Sequence, residues 1–168
     1  MNLGQSTTGR PDATQTLVET VMTTEVVSVG PDDPIQEAAQ KMAAHRITSV
    51  PVVDQESRLH GVLSDDDLII EGARLHIPTV FGLLGDVGTW PPSVLRFERE
   101  LKAAFASKVA DAMTKKVITC SPKDTVEAVA TILHDKKLRM LPVIDDEKVV
   151  GVITRADVMR FLFPADTE

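Results

Sequence analysis

The chain has one cysteine, one tryptophan and no tyrosine in 168 residues. A single cysteine, Cys120, cannot close a disulfide within the chain, so any core must be held by packing. Aromatics supply only 4% of the sequence, which leaves aliphatic and β-branched side chains to fill that core. Basic runs are as short as Lys115-Lys116 and Lys136-Lys137, and the net charge is -7. Nucleic acid is therefore not an expected partner, because neutralising phosphates takes a concentrated basic surface. No apolar stretch reaches the roughly 20 residues of a membrane span. Residues 1–15 lack the apolar core of a signal peptide. The expectation is a soluble, cytoplasmic protein with no membrane partner. His45, His60, His76 and His134 show no metal-ligand spacing with each other or with Cys120, so no metal site is expected. No nucleophile, histidine and acid can be grouped from their order, so no catalytic residue is assigned. What the chain does have is 43% hydrophobic content, enough for one compact core.

It also has an internal repeat. Met22-Thr23 answers Met113-Thr114, Pro31 answers Pro122, Asp33 answers Asp124, Pro51 answers Pro142, and Asp54 answers Asp145. One residue is then lost from a loop of the second copy. After it, Gly61-Val62-Leu63-Ser64-Asp65-Asp66-Asp67-Leu68 answers Gly151-Val152-Ile153-Thr154-Arg155-Ala156-Asp157-Val158. Halves of this size cannot easily bury their own apolar faces, so the two copies are expected to pack together and to form paired clefts for ligands.

Each copy reads strand, helix, strand, strand, helix. The first strand spans Val26 to Val29 or Val117 to Cys120. Asp33 and Asp124 are expected to cap the next helix, with Pro34 at its first position and Gln36 or Glu127 completing a capping box. Ile35, Ala38, Ala39 and Met42, like Val126, Val129, Ala130 and Leu133, then give each helix one apolar stripe. Val50 to Asp54 and Leu141 to Asp145 read as the second strands, with the prolines at a start or an edge. The third strands run through Gly61-Val62-Leu63 and Val149 to Ile153, and the last helices begin near Ser64 and Thr154. The division along the chain is a mobile tail at 1–12, repeat one at 13–76, an insert at 77–107, repeat two at 108–163, and a tail at 164–168. The insert carries Trp90 and spaces Val94, Phe97, Leu101 and Phe105 helically, so it is expected to be ordered, with a helix from Ser93 to Phe105. Gly82, Gly85 and Gly88 in it read as turns.

The pattern Gly-h-h-Ser/Thr-x-x-Asp, with h apolar, closes both copies. It reads as a capping box, Ser64 with Asp67 and Thr154 with Asp157. It also reads as a ligand site, since a helix start attracts anions and a carboxylate one turn in accepts ribose hydroxyls.

The Met-Thr start, the apolar-Pro-apolar-apolar-Asp strand and this terminal motif, in order and twice, resemble the cystathionine-β-synthase (CBS) domain pair, or Bateman module. The resemblance spans about residues 17–76 and 108–163. It implies an α/β (α+β) fold of tandem pseudo-twofold repeats, each β-α-β-β-α, whose clefts bind adenosine-containing ligands. By motif position Asp67 and Asp157 would bind ribose, with Ser64 and Thr154 beside ribose or phosphate. The backbone near Val27 and Ile118 would meet adenine. Ile47, Thr48 and Ser49, with Leu138, Arg139 and Met140, would line the walls. Asp65 and Asp66 repel phosphates, whereas Arg155 attracts them, so an anionic ligand is expected to prefer the Asp157 cleft.

The resemblance implies a non-catalytic sensor of AMP, ADP or ATP that acts as a homodimer on a protein partner. The alternative is an interaction regulator that works through the insert on a thioredoxin-type partner, with empty clefts. A metal-assisted hydrolase built on the Asp65-Asp66-Asp67 triplet is the enzymatic alternative.

Overall fold

A computed structural model describes residues 12–68 and 108–164. The insert with Trp90, residues 69–76, and the tails apart from Asp12 and Pro164 lie outside the described residues. The chain forms two compact units, and neither coincides with one repeat of the sequence. One unit runs from Val27 to Val117. The other joins the residues up to Val26 with those from Ile118 onward.

In the 27–117 unit, α1 (Ile35–His45) is followed by β1 (Ser49–Val53), β2 (Leu59–Ser64) and a helical turn at 65–68; α2 (Val109–Ala112) returns after the insert. In the other unit a 3-10 turn (Val18–Thr20) precedes α3 (Val126–Asp135), β3 (Met140–Asp145), β4 (Lys148–Thr154) and α4 (Arg155–Leu162). β1 and β2 pair antiparallel with Ser49 opposite Ser64, and β3 and β4 pair with Met140 opposite Thr154. Both hairpins carry a bulge at the same place, after Val52 and after Val143.

The expected first strands are reduced to single parallel bridges, Val29 to Val52 and Cys120 to Val143. These bridges explain how Pro51 and Pro142 sit inside strands. Val29 N–H donates to the Pro51 carbonyl (3.2 Å) and Cys120 N–H to that of Pro142 (3.1 Å). A residue's N–H and carbonyl share one side of a strand, so each proline nitrogen faces this short bridge and not the hairpin partner.

The helix caps differ from the sequence expectation. The N-cap of α1 is Pro34, without a side-chain bond, and that of α3 is Thr125, whose hydroxyl accepts from Ala128 N–H. Asp33 and Asp124 instead close the turn before the helix, accepting from Gly30 N–H and Ser121 N–H, each at 2.8 Å. Facing back rather than forward, both satisfy turn donors that would otherwise lack partners.

The apolar stripes are buried except at their edges, where Ala39 and Ala130 are half-buried. Ala38, Met42, Val50, Val52, Leu63 and Val109 form one core. Val18, Val126, Val129, Leu133, Leu141, Val143 and Ile153 form the other. Val18 and Val109 show how the units were assembled: each lies outside the strands and helices it packs with, and each is fully buried.

The Met-Thr motifs make the same exchange. Thr23 pairs with Val152 and Thr114 with Val62 through reciprocal backbone bonds of 2.9–3.0 Å. This presses Met22 onto Gly151 and Met113 onto Gly61. A Cβ at Gly61 would lie 2.7 Å from the Met113 sulfur and 2.9 Å from the Thr114 carbonyl oxygen; at Gly151 the distances are 2.7 Å to Met22 and 3.1 Å to Thr23. The methionines can yield, but the carbonyls are fixed by the bridges. Gly61→Ala is therefore expected to cost about 1–3 kcal/mol, and Gly151→Ala somewhat less. Urea denaturation of the two variants checks this, and unchanged midpoints would refute it.

Cys120 is 6% exposed. Burial, with a smaller contribution from the Asp124 carboxylate, pushes its thiol from 9.0 up to about 12. The folded state thus holds the proton more tightly than the unfolded chain. The stabilisation is complete below about pH 9 and is lost as pH rises toward about 12. Alkaline denaturation should show this loss in the wild type and less of it in Cys120→Ala.

Candidate functional site

In the unit that contains β4, strand passes directly into helix at Thr154. The Thr154 hydroxyl accepts from Asp157 N–H (3.2 Å), while one carboxylate oxygen of Asp157, Oδ2, accepts from Thr154 N–H (2.8 Å) and from its hydroxyl (2.6 Å). This is a reciprocal capping box, as the spacing predicts. Asp157 is 3% exposed, the only buried charged side chain among the described residues. A buried carboxylate needs a counter-charge, and the guanidinium of Arg160 supplies one at the other oxygen, Oδ1. Arg160 lies outside the Gly-h-h-Ser/Thr-x-x-Asp motif. Its signal was opposite charge three positions on along a helix.

Arg155 points elsewhere. Its Nε–H donates to the Leu138 carbonyl (2.8 Å) and its Nη2 to that of Leu133 (3.0 Å), so it ties the start of α4 to the end of α3. A cation there also meets the negative end of the α3 dipole. Arg155 N–H donates to the Arg139 carbonyl (3.3 Å), and Met140 lies opposite Thr154 in the hairpin. The fold therefore gathers Leu138, Arg139, Met140, Thr154, Arg155 and Asp157 around one junction. Met140 is buried, Leu138 is half-buried and Arg139 is exposed. Ile118 stands at the chain's entry to this unit, 39% exposed.

The 27–117 unit repeats the junction. Asp67 Oδ2 accepts from Ser64 N–H (2.8 Å) and from the Ser64 hydroxyl (2.7 Å). Asp65 N–H donates to the Thr48 carbonyl (2.9 Å), the counterpart of Arg155 and Arg139, and Ser49 lies opposite Ser64. Val27 and Ile47 pack on the core beneath. The copies differ in burial and charge. Asp67 is half-buried where Asp157 is buried. Asp65 stands where the other junction has Arg155, and Ile70 is the sequence counterpart of Arg160.

An open groove of about 580 Å³ also lies in the 27–117 unit, lined in part by Asp32, Asp33, Lys41, Asp54 and Glu56. None of the candidate residues lines it. Three of its carboxylates serve local structure: Asp32 pairs with Lys108, Asp33 closes its turn, and Asp54 accepts from Glu56 and Arg58 N–H and pairs with His60. Among the described residues no group of three His, Cys, Asp or Glu is set to hold a metal ion. No described helix is long and apolar enough to cross a membrane.

Each junction thus presents a helix start and an oriented carboxylate. In each, the hydroxyl of the Ser or Thr donates to the carboxylate of the Asp one turn on, beside the backbone N–H groups of the helix start.

The CBS domain profile matches residues 18–73 and 109–164. The chloroplastic CBS domain-containing protein CBSX1 of Arabidopsis thaliana is 34% identical over 137 residues, covering 79% of this chain and 57% of that protein. Solved structures share the fold. The CBS domain of a CBS domain-containing membrane protein from Sphaerobacter thermophilus has a TM-score of 0.69 and 26% identity, covering 90% of each chain. CBSX2 in complex with AMP has a TM-score of 0.65 and 25% identity, covering 86% of this chain and 94% of that one.

Proposed function

This chain belongs to the CBS domain family, and we propose that it is a non-catalytic regulatory module for adenosine-containing ligands. The ligand class is AMP, ADP or ATP, bound at the strand-to-helix junctions, with the output carried by association with a protein partner. The observation that carries this reading is the pair of matching junctions, each with its Ser or Thr and Asp locked in one geometry. A carboxylate held this way is oriented before the ligand arrives, which lowers the ordering cost of binding. The similarity to an AMP-bound CBSX2 supports the choice of adenine nucleotide.

Thermal denaturation with a panel of adenosine ligands tests the proposal. A ligand that binds only the folded state raises the melting temperature by mass action, by about 2.7 kcal/mol of stability at a hundredfold excess over Kd. A panel without any shift, on protein shown to be free of nucleotide after denaturation, would remove the reading.

Homodimerisation belongs to the same proposal. Met159 on α4 and Phe163 just past its end are 54% and 57% exposed, and Phe161 and Leu162 are only half-buried. Val158 takes no part, because its own unit buries it. Sedimentation at micromolar concentration should give a dimer; a monomer of 18.3 kDa with and without nucleotide would refute it.

A further inference from the structure

We infer that Arg160 sets the affinity of the Asp157 junction by competing with the ligand's hydroxyls for one carboxylate oxygen. The inference rests on the ribose-binding role proposed for Asp157. Oδ2 of Asp157 is committed to Thr154, whose N–H and hydroxyl both donate to it. Withdrawing it would undo the start of α4. Oδ1 is the oxygen a vicinal diol can take without disturbing the helix, and Arg160 holds that oxygen.

The two partners differ in what they surrender. The Asp157 side chain is 2% exposed and that of Arg160 is 74% exposed. The guanidinium can therefore leave for water at little cost, while the carboxylate must keep a donor. Exchange of guanidinium for diol satisfies both demands. It also lowers the observed affinity by the free energy of the ion pair. At the position equivalent to Arg160 the other repeat carries Ile70.

The test uses the full chain and adenosine, a neutral probe, with dideoxyadenosine, which lacks both ring hydroxyls, as control. Calorimetry should show Arg160→Gln binding adenosine about two- to fivefold more tightly than the wild type. Dideoxyadenosine should bind the two proteins alike. In the wild type, adenosine affinity should rise with ionic strength, because screening weakens the ion pair but not a neutral ligand's hydrogen bonds; this needs no variant. If Asp157→Ala abolishes adenosine binding but Arg160→Gln leaves it unchanged or weaker, the inference falls and the site reading stands. If adenosine binds neither the wild type nor Arg160→Gln, both fall.

Discussion

A chain that begins at residue 27 is expected to lose the fold of the unit built on residues 118–164. The segment from Ala13 to Thr23 is hydrogen-bonded into that unit and supplies Val18 to its core. Val18 is fully buried in its core, and Val21 and Met22 pack against the same cluster. Val18 N–H donates to Asp124, Glu19 N–H to Pro122, Val126 N–H to Thr16 and Glu127 N–H to Ala13. Thr23 and Val152 exchange both backbone bonds. Burial of Val18 is worth about 2 kcal/mol, and each lost backbone bond about 1 kcal/mol. The total rivals the roughly 5–15 kcal/mol that holds a domain together. Hydrogen exchange should show amide protection across 126–154 collapsing in the shortened chain. Protection retained there would mean that the segment only decorates the unit.

Asp157→Ala should lower adenine-nucleotide affinity by roughly ten- to a hundredfold, the loss of a charged acceptor worth about 1.5–3 kcal/mol. Asp67→Ala should do less. The preference for the Asp157 junction rests on charge, since Asp65 and Asp66 stand beside Asp67 whereas Arg155 and Ala156 precede Asp157. The committed guanidinium of Arg155 still contributes its field, although two of its donors are taken by carbonyls. Loss of Asp157 also removes half of the α4 capping box, an independent cost of about 1 kcal/mol to stability. Binding and melting must therefore be measured on the same variant. An Asp157→Ala protein that melts lower but binds AMP unchanged would reduce Asp157 to a cap. Equal, negligible effects of the two variants on binding would sink both site assignments.

The sequence by itself determined whatever depends on spacing along the chain. Apolar residues at helical intervals placed α1 and α3, because a helix brings those positions to one face whatever surrounds it. The Ser64–Asp67 and Thr154–Asp157 boxes were legible because both partners lie within one helical turn. Only the tertiary structure decided between equivalent partners. Met22-Thr23 and Met113-Thr114 are alike, and so are Gly61-Val62 and Gly151-Val152, so nothing in their residues says which meets which. The fold chooses, in both cases, the pair farther apart along the chain. Asp33 and Asp124, expected as helix caps, and Arg155, expected to face phosphate, take other partners for a related reason, as does Arg160. Each has a possible acceptor or donor on either side of it in sequence, and only the folded geometry of the unit brings one of them within hydrogen-bond distance.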